Sequence, residues 1–237
     1  MLEIEFRPRM QVTALIPVKS FRNAKQRLNP LLDPGDREKL AELMFRHVLA
    51  ELVRVKGLAG VAVVTGDDVV AQIAGALNAI VVREPDENGE TAAVDLARSE
   101  LKRRGSEAVL IVPGDMPLLR ASDIEQILTE VPRQSAGRYA LLVPSHDRLG
   151  TNALLLAPPD LIKLRFGYDS FSFHMNQLAA EGLPMRFVEN ERIALDIDDP
   201  QDLQRFLSYP AAEGEVKRFV RDILDSTEEK RQHSGGI

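Results

Sequence analysis

Short apolar segments alternate along the chain with longer segments in which apolar residues recur at helical spacing. The apolar segments that predict buried strands are residues 13–18, 61–64, 79–82, 109–112 and 139–144. The periodic segments that predict amphipathic helices are residues 36–55, 68–77, 91–104 and 122–131. Strands that alternate with helices in this way imply a parallel, doubly wound sheet with right-handed crossovers. We therefore predict an α/β fold with a mostly parallel sheet and helices on both faces.

The second half of the chain continues the pattern with shorter elements. The remaining predicted elements are strands directly after residue 152 and at 185–188, and helices at 174–181 and 216–224. Residues 226–237 are polar, which is typical of a disordered tail. We expect one domain over residues 1–210, followed by a C-terminal helix and tail over residues 211–237.

A carboxylate follows the apolar segment 109–112, after a break at Pro113-Gly114. Open α/β folds bind ligands at the carboxyl edge of the sheet, and this placement puts Asp115 at that edge. The next helix is predicted to begin with a capping box between Ser122 and Glu125. Taken alone, Asp115 is equally well explained as a turn residue that bonds nearby backbone amides.

Four cations crowd the segment after the first predicted strand, namely Lys19, Arg22, Lys25 and Arg27. Clustered Lys and Arg side chains suit the oxygens of a triphosphate. The segment lacks the glycine-rich patterns of dinucleotide-binding and P-loop proteins. The alternative is a solvated basic surface loop. If the loop holds a triphosphate, Lys25→Ala should weaken nucleotide binding or turnover and leave the melting temperature nearly unchanged, because relieving a like-charge cluster costs the fold little.

A second acidic group lies at residues 195–199. In an extended segment, Asp196 and Asp198 point to one side while the two apolar neighbours point to the other. Two carboxylates on one side repel each other unless a cation lies between them. Asp199, which precedes a proline, is predicted to cap the following helix.

Three polar corners are further candidates for ligand contact. Gly150-Thr151-Asn152 precedes a strand, and Ser170 opens a helix behind Gly167. Asn88-Gly89 forms a tight-turn signal whose backbone is able to reach a purine edge. Ordinary turn and capping chemistry explains each corner equally well.

Composition narrows the classes of function. Charged residues make up 28% and hydrophobic residues 44% of the chain, and the net charge is −6, which argues against a nucleic-acid partner. We find no apolar run of the roughly 18 residues that a membrane span needs, and no signal-peptide layout at the N-terminus, so we expect a cytoplasmic protein. The lack of cysteine excludes disulfides, thiolate metal sites and a cysteine nucleophile.

Together the motifs resemble the guanylyltransferases of deazaflavin coenzyme F-420 biosynthesis, which act on phosphoenolpyruvate or 2-phospho-L-lactate. The matching stretches are residues 15–28, 113–119, 150–154, 169–174 and 195–198. The resemblance implies a single-domain, Rossmann-like nucleotidyltransferase fold of the nucleotide-diphospho-sugar transferase type, shared with the molybdenum-cofactor guanylyltransferases. It also implies that GMP passes from GTP to the phosphorylated three-carbon acid and that diphosphate leaves.

The resemblance further assigns roles to residues. The expected Mg²⁺ ligands are Asp115, Asp196 and Asp198. The expected nucleotide-binding residues are Lys19, Lys25, Gly89 and Asp115, and the expected catalytic residues are Lys19, Lys25, Arg27 and Asp115. The expected acid-binding residues are Thr151, Gly167 and Ser170, in a pocket that Phe166, Phe171 and Phe173 keep small and dry. Contact with the next enzyme of the pathway and assembly as a homodimer are left open.

Three other classes of protein are compatible with parts of the pattern. A metal-dependent glycosyltransferase also carries an Asp-x-Asp, here Asp196 and Asp198, but has less need of the basic loop. Another nucleotidyltransferase of the same fold would use the same acids with a different acceptor. A nucleotide-binding module without turnover would have no need of three converging carboxylates.

Overall fold

In a computed structural model, residues 10–86, 88–131, 137–183, 186–210 and 214–234 are described, with side chains as far as residue 226 in the last range. The strands in these ranges are β1 (Val12–Pro17), β2 (Leu58–Thr65), β3 (Ile80–Arg83), β4 (Ala108–Ile111), β5 (Tyr139–Pro144) and β6 (Thr151–Ala157). They form one sheet in the order β3-β2-β1-β4-β6-β5. Only β6 runs against its two neighbours, which confirms the mostly parallel sheet.

Helices cover both faces of this sheet. They are α1 (Pro34–Arg54), α2 (Asp68–Ala76), α3 (Glu90–Arg103), α4 (Ala121–Thr129), α5 (Ser170–Ala180), α6 (Pro200–Ser208) and α7 (Glu215–Ser234). Successive strand residues point to opposite faces, so Ala14 and Ile16 pack with α1, α2 and α4, whereas Leu15 packs with α3 and α5. The two-sided burial explains why the parallel strands are continuously apolar.

A third apolar cluster joins the outer side of α1 to the C-terminal helices. Val216 and Val220 of α7 are buried there together with Leu203 and Phe206 of α6. The helix predicted at residues 216–224 therefore packs on the domain, but it continues to Ser234 through most of the segment predicted to be disordered. Glu, Lys, Arg and Gln dominate that extension, and these residues have high helix propensity. Residues 235–237 lie outside the described ranges.

Two further local predictions differ from the structure. Helix α4 begins at Ala121 rather than behind a Ser122 cap, because Asp123 accepts a hydrogen bond from the Arg120 backbone amide at 2.9 Å. The expected partner Glu125 accepts instead from the Lys56 amide at 3.0 Å. Of the strand predicted at residues 185–188, the first residue lies outside the described ranges, and the rest contributes a single parallel bridge from Phe187 to Leu142 of β5.

The turn after β4 carries the chain across the carboxyl edge of the sheet. A Cβ atom added to Gly114 would lie 3.3 Å from Cγ2 of Val18 and 3.5 Å from Cδ2 of Phe45. Glycine thus lets this turn lie close to the end of β1. The following residue, Asp115, is thereby held beside the loop that leaves β1.

Candidate functional site

Three carboxylates meet at this edge of the sheet. Asp115 lies behind β4, while Asp196 and Asp198 lie on the extended segment before α6. The backbone amide of Ile197 donates to the Asp115 carbonyl at 3.2 Å, which ties the two segments together. One carboxylate oxygen from each of the three acids lies within 4.8 Å of the others. The expected convergence is therefore confirmed, while the role of the acids as metal ligands stays a prediction.

The surroundings of the three acids favour a bound cation. Burial and the charge of Asp115 together raise the pKa of Asp196 to about 7, against the lowering effect of a hydrogen bond from Asn152. The Oδ1 atom of Asp115 is buried and has no hydrogen-bond partner. Carboxylate oxygens are the ligands that Mg²⁺ prefers, so the donor set fits a divalent cation.

Lys25 reaches into the same cluster. Its Nζ atom donates to Asp115 Oδ2 at 2.5 Å and to Asp198 Oδ1 at 2.8 Å, and its side chain is 9% exposed. Burial lowers the pKa of Lys25, but the two carboxylates raise it more, so the net shift is upward. The backbone at Lys25 is left-handed, with φ 53°, and aims the side chain inward from the loop. The expectation that loss of the Lys25 charge would leave the melting temperature nearly unchanged is thus wrong, because Lys25 is paired with two carboxylates.

The other cations of the loop are exposed, and Lys19 and Arg27 line the surrounding cavities. The main cavity, of about 570 Å³, has Arg27, Asp115 and Asp196 in its wall. Two smaller cavities, of about 320 and 160 Å³, share Lys19 and Asp115. Arg22 lines none of these three cavities. The loop therefore surrounds Asp115 with positive charge on more than one side.

The predicted acid-binding residues form another part of the wall of the main cavity. The backbone amide of Thr151 donates to the Ser170 hydroxyl at 3.1 Å, which joins the start of β6 to the start of α5. Gly167 has φ 98°, a conformation that favours glycine, and a Cβ atom there would meet nothing within 4 Å. Glycine is thus favoured by the backbone conformation of the turn into α5, and its role toward the acid stays a prediction.

The expected aromatic lining is only partly present. Phe166 lines the main cavity. Phe173 instead lies under the Arg165 guanidinium at 4.5 Å, and Phe171 packs edge-on against Phe187. Helical geometry explains the difference, because neighbouring positions on α5 point to different sides of the helix. The cavity is accordingly more polar than the sequence suggested.

Glu90 is a functional candidate that the sequence analysis did not select, and Asn152 was selected there only as part of a polar corner. Glu90 is the first residue of α3, behind the Gly89 cap with φ 96°, and it lines the main cavity, which Gly89 does not. Burial and the charge of Asp115 together raise the pKa of Glu90 to about 7. Asn152 donates through Nδ2 to Asp196 Oδ1 at 2.9 Å and so orients that carboxylate. The sequence signal that could have identified them is their position at the carboxyl edge of the sheet. Glu90 follows a turn there, and Asn152 lies at the start of β6.

Comparison with known proteins gives a family match over most of the chain. A family model described as "Guanylyl transferase CofC like" matches residues 12–235. A phosphoenolpyruvate guanylyltransferase of Conexibacter woesei is 38% identical over 216 residues, which cover 91% of this chain and 96% of that protein. A 2-phospho-L-lactate guanylyltransferase of Methanothermobacter thermautotrophicus is 32% identical over 204 residues, covering 84% and 86% respectively.

The fold also matches solved structures. A Desulfovibrio desulfuricans G20 protein described as a nucleotide-diphospho-sugar transferase superposes with a TM-score of 0.73 at 15% identity, over 92% of this chain and 98% of that chain. This likeness confirms the expected fold type. Within the described ranges, none of the helices combines the length and the apolar character that a membrane crossing requires.

Proposed function

The chain belongs to the CofC-like guanylyl transferase family, and we propose that it transfers GMP from GTP to phosphoenolpyruvate or 2-phospho-L-lactate with release of diphosphate. Among the structural features, the convergence of Asp115, Asp196 and Asp198 beside Lys25 is the observation that carries the proposal. The acids and the basic loop meet at the carboxyl edge of a parallel sheet, where such folds bind ligands.

The reaction makes one bond and breaks one. A phosphate oxygen of the acid attacks the α-phosphorus of GTP, and the electron pair of the α–β bridging bond leaves with diphosphate. Both reactants are anionic, so their charges must be neutralised before they meet in line. The acid brings its own nucleophile, and the chain therefore needs groups that bind, orient and neutralise.

The three carboxylates are the residues that would hold a divalent metal ion, which we propose is Mg²⁺. When bound, the ion neutralises charge on the phosphates and helps to align the reacting groups. Asn152 keeps Asp196 oriented toward this place, and the backbone bond from Ile197 keeps the two acidic segments together. The partnerless Oδ1 of Asp115 is the atom in this set that most needs a cation.

The basic loop is proposed to hold the triphosphate. Lys19 and Arg27 are exposed beside Asp115 and reach the cavities from different sides. Lys25, now bound to Asp115 and Asp198, would shift toward phosphate oxygens when a metal ion takes over those carboxylates. Together these cations stabilise the charge that develops on the leaving diphosphate.

Acceptor binding is proposed for the Thr151, Gly167 and Ser170 wall. The Thr151 amide bonds the Ser170 hydroxyl, and both residues line the main cavity together with Asp196. Hydroxyl donors suit the carboxylate and phosphate oxygens of a small acid. We propose that Gly89 belongs to the nucleotide side of the site. It does not line the main cavity itself, but the next residue, Glu90, does.

Diphosphate release tests the proposal. The purified protein is mixed with GTP and Mg²⁺, and in turn with phosphoenolpyruvate, 2-phospho-L-lactate, a sugar phosphate or molybdopterin. We expect release with one or both three-carbon acids, and a loss of at least about 100-fold in Asp115→Asn. Asp68→Asn, at an exposed acid on α2, is the matched control and should retain full activity. Release with only the last two acceptors would contradict the proposed substrate.

A further inference from the structure

A fully buried histidine lies directly behind the acid-binding wall. His174 is 0% exposed and lies one helical turn after Ser170 on α5, so both side chains face the start of β6. Ser170 Oγ accepts from the Thr151 amide at 3.1 Å, and His174 Nδ1 lies 3.0 Å from the Thr151 hydroxyl. Two residues of α5 thus hold Thr151 at two different atoms.

The second ring nitrogen determines which way the hydrogen bond to Thr151 runs. The backbone amide of Arg165, which is only a donor, lies 3.3 Å from His174 Nε2. Nε2 must therefore be the unprotonated acceptor, and in a neutral ring the hydrogen is on Nδ1. Burial and the charges of Arg165 and Arg98 together lower the pKa of His174 to about 4, so the ring is neutral near pH 7. It follows that Nδ1–H donates to the Thr151 hydroxyl.

This direction leaves the hydroxyl hydrogen of Thr151 free. A hydroxyl that accepts from the ring keeps its own O–H for another acceptor, and Thr151 lines the main cavity. Ser170 is in the same state, since its oxygen accepts from the Thr151 amide. Two O–H donors in the wall of the same cavity are therefore available to an anionic ligand.

We infer that His174 is a positioning residue, which fixes the Thr151 hydroxyl as a hydrogen-bond donor to the carboxylate or phosphate oxygens of the acid substrate. The inference rests on the proposed function. A residue that served only to fill space between Phe166 and Phe173, whose rings contact it edge-on, would not need ring nitrogens. The histidine instead uses both ring nitrogens, and its tautomer sets the direction of the hydrogen bond to Thr151 in the cavity wall.

Three substitutions of His174 distinguish the contributions of its two ring nitrogens. His174→Asn places an amide nitrogen near the position of Nδ1 and keeps the donor to Thr151. His174→Gln reaches the position of Nε2 and keeps only the acceptor for Arg165, while His174→Phe keeps only the ring packing. We expect the KM for the acid to rise about tenfold in the Gln and Phe variants and about threefold or less in the Asn variant. The KM for GTP should stay within about twofold of the unmodified protein in all three.

A double-mutant cycle with Thr151→Val isolates the hydroxyl. If His174 acts through that hydroxyl, His174→Phe should raise the acid KM no further in a Thr151→Val background. His47→Asn is the matched control, because this half-buried histidine bonds the Leu119 carbonyl and lines none of the three cavities. The inference is overturned if the two substitutions raise the acid KM by factors that multiply in the double mutant. It is also overturned if the Asn variant is as impaired as the Phe variant.

A measurement without turnover distinguishes this inference from the proposed function. The ¹⁵N chemical shifts of His174 in the intact, labelled protein report which ring nitrogen is protonated. We expect a protonated Nδ1 and an unprotonated Nε2, and the opposite tautomer would overturn the inference even in an active enzyme. Absence of diphosphate release from the unmodified protein would instead contradict the proposed function.

Discussion

Replacement of Lys25 by methionine tests the electrostatic account of the site. The substitution keeps the length of the side chain and removes the charge that bridges Asp115 and Asp198 at 2.5 and 2.8 Å. The carboxylates then face one another without compensation. We therefore expect the metal-free protein to lose stability, and we expect a divalent cation to restore most of it.

The size of the effect follows from burial. Removal of one partner from a buried ion pair costs about 3–5 kcal/mol. The side chain of Asp198 is 50% exposed and that of Asp115 is 28% exposed, so solvent screening reduces the loss to about 2–3 kcal/mol. Since a protein of about 150–250 residues loses roughly 2–4 °C per kcal/mol, the melting temperature should fall by about 4–12 °C.

Calorimetry with a chelator and then with saturating Mg²⁺ measures both parts of this prediction. In Mg²⁺ the difference between Lys25→Met and the unmodified protein should shrink to about one third or less, because the cation neutralises the same carboxylates. Lys56→Met, at an exposed lysine after α1, should melt like the unmodified protein under both conditions. An unchanged melting temperature with chelator, or a loss that Mg²⁺ leaves intact, would refute the reasoning.

Three other substitutions test separate parts of the structure. Asp196→Asn should raise the melting temperature of the metal-free protein, because it removes a charge that burial and Asp115 disfavour, and should abolish the thermal shift produced by Mg²⁺. Gly167→Ala should lower the free energy of unfolding in urea by about 1–2 kcal/mol through its φ of 98°, whereas Gly75→Ala, inside α2 with nothing within 4 Å, should raise it slightly. The pKa of His174 is lowered from 6.5 to about 4, so the unfolded state binds one proton more in this window and stability falls as the pH drops through it. Urea titrations over this range should show a shallower pH dependence for His174→Phe, and identical slopes would contradict the assignment.

The sequence by itself determined the layers of the fold and the side of the chain on which the acidic residues lie. Apolar runs at β1, β2 and β4 and periodic helices between them require a sheet covered on both faces, because each element must bury its apolar residues. Alternation along residues 195–198 places Asp196 and Asp198 on one side, and the burial of Leu195 and Ile197 bears this out. These features depend on residues that are close in the sequence, so local sequence patterns are sufficient to predict them.

Tertiary structure decided which groups meet. Lys25 looks like one of four loop cations in the sequence, yet its partners are 90 and 173 residues away. The start of α4 likewise depends on Asp123, which Arg192 contacts from a distant segment. The tautomer of His174 is determined by the Arg165 amide, and it fixes the direction of the hydrogen bond to the Thr151 hydroxyl. Periodicity along a chain reports burial, whereas charge pairing and hydrogen-bond direction depend on the three-dimensional arrangement of atoms from separate elements.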